Sequence, residues 1–370
     1  MNELSWSNYD FSKIPFDDIV KVGQRSMIYR DLFVVSWILG RFCNYNCSYC
    51  WPYANSRTKD HRPTELCLRT IDEIKRQSRA NGFNSYHFSL SGGEPTFHPG
   101  YLDILQHLAD DVPNCNYTSV HMTSNCSQSM KFFEKYVRIA ANFNRASVTA
   151  SFHKEHLNTP EKVSEFADKL EFFQSWDIQV TINMVMVPQW FDKLYEEAMY
   201  FHDRGINVTL KPQSDEKASV VVPGYTDEML SILHNGMPQR FFTDTKKTFS
   251  RPKAKRPLED ILIQDDSNIP QDFQVELTDS SGKKWYLDQS ERMNAFNFNQ
   301  FEGWMCHSGY QSIIIREPDG SVKRSYSCHD KPLGNIESGF QLFHKPMLCT
   351  TKTCVSSADS KIPKRLTNGF

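Results

Sequence analysis

Between residues 34 and 213, short apolar or β-branched runs alternate with amphipathic stretches of helical length, and this rhythm constrains the fold more than any other feature. It is the pattern of βα units around a parallel sheet. The strands are expected at Val34–Phe42, Tyr86–Leu90, Tyr117–Thr123, Ala146–Phe152, Gln179–Val187 and Asn207–Lys211. Helices are expected near Thr64–Asn81, Gly100–Ala109, Ser129–Asn142, Glu161–Ser175, Trp190–Arg204 and Thr226–Asn235. The fold class that follows is α/β, a partial (β/α)6 TIM-like barrel over 31–237 behind an N-terminal extension of 1–30. After Gly236 the rhythm stops, and Pro238–Pro270 mixes Pro, Lys and Asp without periodicity, as a connecting segment or lid does. Hairpins are expected where Phe273–Thr278 meets Lys284–Leu287 across Asp279–Gly282, and where Ser312–Arg316 meets Val322–Ser325 across Pro318–Gly320. The division is therefore a connecting segment with a β-hairpin over 238–300 and a small β-rich C-terminal module over 301–370.

Composition excludes several classes. A formal net charge of −2 supplies no basic field for a phosphate backbone, so no nucleic-acid partner is expected, and the run Lys246–Arg256 reads as a solvated loop. No stretch approaches the roughly 18 apolar residues of a membrane span, and Met1–Asp10 is too polar for a secretory signal. A cytoplasmic chain without a membrane partner is expected. In such a compartment thiols stay reduced, so the ten cysteines point to metal ligation rather than a disulfide framework. Three lie between residues 43 and 50 and four between 306 and 354; Cys67, Cys115 and Cys126 stand apart as core or surface thiols.

Cys43, Cys47 and Cys50 fall in a loop after the first strand, at the C-terminal mouth where barrel enzymes do their chemistry. A structural zinc normally takes four ligands, whereas a cubane held by three cysteines leaves one iron open to a small molecule. Tyr49, between the last two thiols, would shield such a cluster from water. A zinc completed by a distant residue, or packed thiols, is the alternative. Ser91-Gly92-Gly93-Glu94-Pro95 ends the second strand, where glycines let a backbone approach a ligand closely, or where they simply turn the chain. Ser124 and Asn125 end the third strand and Ser151 and His153 the fourth, as ligand contacts or as helix caps. His153 and His156 have the spacing of a metal-ligand pair or of an ordinary polar loop. Lys211 ends the sixth strand, facing a substrate or only the rim.

The spacing C-x3-C-x2-C with an aromatic before the last cysteine resembles the signature of the radical S-adenosylmethionine (SAM) superfamily, and Ser91–Pro95 resembles that family's GGEP motif. The resemblance implies a [4Fe-4S] cluster on Cys43, Cys47 and Cys50 whose open iron chelates the methionine part of SAM. It also implies cofactor contacts from Tyr49, Gly92, Gly93, Glu94, Ser124, Asn125 and Ser151, and a low-potential electron donor such as flavodoxin or ferredoxin.

Cys306, Cys328, Cys349 and Cys354 supply four thiols, enough to saturate either a zinc or a [4Fe-4S] cluster, at separations too wide for a zinc ribbon. With Cys306-His307-Ser308-Gly309, Pro318-Asp319-Gly320 and Leu333-Gly334-Asn335-Ile336 between them, they resemble the twitch module, a shortened relative of the SPASM domain. That resemblance implies an auxiliary [4Fe-4S] cluster. The expected activity is reductive cleavage of SAM to a 5′-deoxyadenosyl radical and hydrogen abstraction, as an oxidoreductase-type oxidation of a small metabolite. The alternative is crosslinking or epimerisation of a ribosomally made peptide, for which Cys126 is the spare thiol near the mouth. A non-catalytic zinc-binding interaction protein is the remaining reading. The residues name neither a catalytic side chain nor the substrate carbon.

Overall fold

The computed structural model describes residues 9–25, 31–51, 55–59, 61–216, 220–237, 273, 275–288 and 290–367. The expected connector 238–270, with its basic run, lies outside the described residues. Strand β1 is Ile19–Gln24, and six further strands follow: β2 (Leu32–Ile38), β3 (Ser85–Ser91), β4 (Tyr117–Ser124), β5 (Arg145–Phe152), β6 (Gln179–Met186) and β7 (Asn207–Pro212). Strands β2 to β7 pair in sequence order, each parallel to the next. Between and after them run helices α1 (Thr64–Ala80), α2 (Tyr101–Asp110), α3 (Met130–Ala140), α4 (Pro160–Ser175), α5 (Phe191–Asp203) and α6 (Asp227–Asn235). The partial barrel is thus present.

Helix starts follow from capping chemistry. Ser129, Thr159 and Thr226 each accept a hydrogen bond from the amide three residues on, satisfying a donor the helix itself cannot use. The expected starts at Ser129 and Thr226 are these caps, one residue outside the helices.

The strands have unequal faces. Val35, Trp37, Phe88, Leu90, Val120, Met122, Val148, Ala150, Ile182 and Met184 are buried in one core with Ile71, Ile74, Leu105 and Phe133 of the helices. The residues between them face the barrel interior, and most are small and polar: Ser36, Ser89, Ser91, Thr123, Ser147, Thr149, Ser151, Thr181 and Asn183, all only partly buried. Short hydroxyl side chains fill a barrel less completely than the usual branched layers do.

Strand β11 (Ser312–Ile315) pairs in parallel with β2, from Ser312 opposite Val34 to Ile315 opposite Trp37, as a seventh parallel strand. Strands β12 (Ser321–Lys323), β13 (Gly334–Asn335) and β14 (Gly339–Phe340) extend the sheet antiparallel, so the hairpin read at 312–325 docks on the barrel edge. Arg62 fastens it: Nε donates to the Glu317 carboxylate (3.1 Å), and the guanidinium also reaches Glu337 and the Pro318 carbonyl.

A second sheet has the order β15 (Met347–Leu348), β10 (Met305–Cys306), β16 (Lys364–Arg365), β1, β8 (Val275–Asp279) and β9 (Lys284–Leu287). Strand β1, in the stretch read as an N-terminal extension, is an inner strand here, between β16 and β8. Its Val22 packs in a second core with Val275, Leu277, Leu287 and Phe301. Among the described residues no helix is long and apolar enough to cross a membrane.

Candidate active site

The chain leaves β2 through Leu39–Phe42 into the cysteine loop, and the Gly92–Glu94 backbone lies directly against this exit. Leu39 N donates to Ser91 O (2.9 Å), Gly93 N to Gly40 O (2.9 Å) and Glu94 N to Phe42 O (2.7 Å). A Cβ on Gly93 would sit 2.2 Å from Arg41 O, and one on Gly92, at φ +150°, 2.4 Å from Gly40 O. The structure therefore explains both glycines by the approach of two main chains. Glu94, 1% exposed, accepts from Ser124 Oγ (2.8 Å), Asn125 N (2.6 Å), Thr96 Oγ1 (2.7 Å) and Thr96 N (3.2 Å). These bonds bind the end of β3 to the end of β4. Burial pushes its carboxyl up from the usual range, against these donors. Glu94 and Ser124, expected at the cofactor, are thus hydrogen-bonded to each other and to the frame.

The cysteine loop is held from several sides. Asn125 Nδ2 donates to Asn44 Oδ1 (2.9 Å) and lies 3.9 Å from Cys43 Sγ, while Asn44 Nδ2 donates to Ser127 Oγ (3.0 Å). From the loop after β5, Glu155 accepts from Ser48 N (2.8 Å) and from the Ser48 hydroxyl, and His156 Nε2 accepts from Asn46 N (3.3 Å). The His153 ring meets Tyr49 OH at 2.9 Å, and His156 stacks on Tyr45 at 3.9 Å and 3°. Trp51 Nε1 donates to Ser214 Oγ (3.1 Å), just past β7. The loop therefore spans the mouth from β2 to β7. His153 and His156, with the spacing of a ligand pair, serve as props for it, and Glu155 is a prop that sequence reasoning missed.

Burial pushes the Cys43 thiol up and the Cys47 thiol up to about 12, with Glu94 and Glu155 respectively adding to the effect, and each also feels the Cys50 sulfur. Arg57, which donates to the Cys43 carbonyl (2.9 Å), offsets this only in part at Cys43. Three mutually interacting thiols so placed are a donor set for a metal group, whose charge would hold them as thiolates. Cys126 takes no part: it is 1% exposed at φ +54° in the core, near Tyr101 and Tyr136 of the helix layer, and burial drives its thiol far above the usual range. The spare thiol expected near the mouth is thus buried in the core, while still acting on Tyr45 of the cysteine loop.

Below the mouth, Ser151 lies on the interior face of β5, opposite Asn183. Deeper, His87 Nδ1 meets Ser119 Oγ at 2.8 Å and His121 Nδ1 meets Ser147 Oγ at 2.8 Å. Burial takes His87 down to about 3 and His121 to about 4, with Arg145 and Lys361 adding positive charge, so both rings are neutral at physiological pH. Lys211 is exposed at the rim.

The other four thiols also converge. Cys306 (3% exposed), Cys328 (7%), Cys349 (4%) and Cys354 (4%) are buried, and Cys349 and Cys354 both feel Cys306. Ser308 Oγ lies 3.5 Å from Cys306 Sγ and 3.7 Å from Cys328 Sγ, and Ser325 Oγ donates to Cys328 Sγ (3.2 Å). Thiolates around one zinc, each about 2.3 Å from it, would stand about 3.8 Å apart. Among the described residues the only three candidate ligands lying mutually within 4.8 Å are those of Cys47, Glu155 and His156, so neither thiol group is drawn in that tightly.

Residues 37–202, a little under half of the chain, match the family model described as Radical SAM superfamily. Solved structures similar to the chain include Streptococcus suis SuiB bound to precursor peptide SuiA, at 12% identity and a TM-score of 0.42, covering 82% of this chain. The chain spans 62% of the length of SuiB. Native anSMEcpe with bound AdoMet is 16% identical with a TM-score of 0.48, covering 84% of this chain and 79% of its own. The same protein with AdoMet and the Kp18Cys peptide gives 16% and 0.47, covering 84% and 78%. No curated protein matches the chain.

Proposed function

We propose that this chain is a radical SAM enzyme that oxidises a small polar substrate inside the barrel, with Cys43, Cys47 and Cys50 holding the SAM-binding [4Fe-4S] cluster. The observation that carries this reading is the three-thiol loop held across the mouth of a barrel whose interior is lined by small hydroxyl and amide side chains. The bound cofactors supply a 5′-deoxyadenosyl radical that takes a hydrogen atom from substrate carbon. Tyr49, braced by His153, shields the cluster edge, and the Gly92–Glu94 main chain with Asn125 and Ser151 borders the space for SAM. Ser119, Ser147, Thr149, Thr181 and Asn183 offer hydrogen bonds to a polar substrate, and neutral His87 and His121 add acceptors without charge.

Cys306, Cys328, Cys349 and Cys354 are assigned an auxiliary [4Fe-4S] cluster in a twitch-like module. Four protein ligands leave no open position, which suits electron transfer rather than SAM binding. Oxidation is preferred to epimerisation because Cys126, the candidate hydrogen donor, is walled into the core. The test is anaerobic reconstitution followed by product analysis in deuterated water. About eight irons per chain, loss of about half with Cys43, Cys47 and Cys50 replaced by Ala, and a product two hydrogens lighter than its substrate are expected. An isomeric product bearing one solvent deuterium would establish epimerisation, and zinc as the dominant metal would end the enzymatic reading.

A further inference from the structure

Lys364 lies in the middle of the second sheet and is 2% exposed. Its Nζ donates to three main-chain carbonyls, Asp359 O (2.6 Å), Ile362 O (2.9 Å) and Ser360 O (3.0 Å), and stands 4.8 Å from the centre of the Phe301 ring. These acceptors are neutral, and among the described residues no carboxylate forms an ion pair with it. The Asp359 carboxylate accepts instead from Ser327 N (2.8 Å). Carbonyl oxygens satisfy the three N–H bonds of an ammonium but leave its charge uncompensated, and an isolated buried charge is strongly disfavoured.

The register shows where the missing charge belongs. Lys364 is the residue of β16 directly opposite Cys306 of β10. Side chains so paired leave the same face of the sheet, with their Cβ atoms about 5 Å apart. The charge also acts on Cys349 and Cys354, easing the upward push that burial gives both thiols. One buried cation thus serves three of the four converging sulfurs.

We propose that Lys364 is the built-in counter-charge of the four-thiol site and sets the reduction potential of the group bound there. The inference rests on the assignment of an auxiliary cluster to that site. Four thiolates around a [4Fe-4S]2+ core carry two net negative charges, and one-electron reduction adds a third. A fixed cation a few ångströms away stabilises the reduced state more than the oxidised one and raises the potential.

The experiment uses full-length, anaerobically reconstituted protein and follows each cluster's reduction by EPR-monitored titration. Lys364→Gln removes the charge while retaining a donor for the carbonyls, and Lys364→Arg retains the charge. Lys364→Gln is expected to make the auxiliary cluster at least tenfold harder to reduce, a fall of about 59 mV for a one-electron couple. The first cluster should be unmoved, and Lys364→Arg should stay near the parent value. Denaturation gives a second readout: Lys364→Gln should stabilise the iron-free protein and destabilise the loaded one. An unchanged auxiliary potential with iron retained, or equal destabilisation of both forms up to failure to fold, would make Lys364 purely structural and overturn the proposal. A parent protein whose iron content is the same with and without Cys306→Ala would instead overturn the auxiliary-cluster assignment, and this proposal with it.

Discussion

Replacing Gly93 with Ala tests how the barrel aims its cysteine loop. The added Cβ would lie 2.2 Å from Arg41 O and 2.4 Å from Phe42 O, both main-chain atoms that cannot rotate away. Restoring an ordinary contact of about 3.4 Å to Arg41 O needs a separation of about 1.2 Å between the two chains. The flanking bonds Gly93 N to Gly40 O and Glu94 N to Phe42 O, now 2.9 and 2.7 Å, would then pass out of hydrogen-bonding range. Two such bonds contribute about 2 kcal/mol together, and overpacking adds about 1–3 kcal/mol, so a loss of about 3–5 kcal/mol is expected. That is a large part of the stability of an ordinary domain. Gly82→Ala is the control: Gly82 has φ +89° with nothing within 4 Å of a new Cβ, and only backbone strain of about 1–2 kcal/mol applies. Denaturant titration of the iron-free proteins, paired with iron per chain after reconstitution, reads both effects. Because Arg41 and Phe42 lead directly into Cys43, Gly93→Ala should lose iron from the first cluster, whereas Gly82→Ala should load fully. A Gly93→Ala protein within about 1 kcal/mol of the parent and fully loaded would refute the reasoning.

Three further outcomes are expected. Cys306→Ala or Cys328→Ala should lose only the second cluster's iron and keep SAM cleavage while abolishing product; loss of cleavage in a folded variant would show that the two sites are not separable. Glu155→Ala removes the acceptor for Ser48 N and Oγ, and since Ser48 is exposed the stability cost should stay below about 1 kcal/mol. Its effect should appear as slower cluster reconstitution, and an unaltered rate would dismiss Glu155 as a prop. Asp111→Asn should cost about 3 kcal/mol at pH 7, because Lys75, its partner at 2.7 Å, is almost wholly buried. Burial of Asp111 opposes ionisation, but the hydrogen bonds from Lys75 and Asn114 and the charges of Lys75 and Arg79 prevail and hold its carboxyl well below the usual range. The contribution is therefore complete above the unfolded value of about 3.9 and is lost as pH falls through the folded value. Urea midpoints for parent and variant should converge below about pH 4; a gap constant down to pH 2 would contradict the charge-based account.

The barrel was legible because each of its units is written locally: a strand whose outer face is apolar, a helix with its own cap, and partners adjacent in the chain. The second sheet has no such local text. Val22 pairs with Leu277 and Lys364, and a six-residue strand whose partners lie hundreds of residues away leaves little pattern to find. The two-residue strands β10, β13, β14, β15 and β16 are too short for any periodicity. The cysteines declared themselves by spacing, but their supports did not. His153 and His156 have a ligand-like spacing, and only the position of Tyr49 and Asn46 shows them as props. Glu94 stood in a motif suggestive of ligand contact, and only its four donors show the carboxylate turned inward.

The parallel pairing of β11 with β2 also acts as a ruler. Cys43 follows the C-terminal end of β2, while Cys306 precedes the N-terminal end of β11, so the two thiol sites hang from opposite ends of one ladder fixed from Ser312–Val34 to Ile315–Trp37. A slip of one residue along it would change their separation by about 3.3 Å and turn Ile315 out of the packed face. The span between the sites is thus stored in strand register, and Arg62, gripping Glu317, Pro318 O and Glu337 in the turns beyond β11, helps to hold that register.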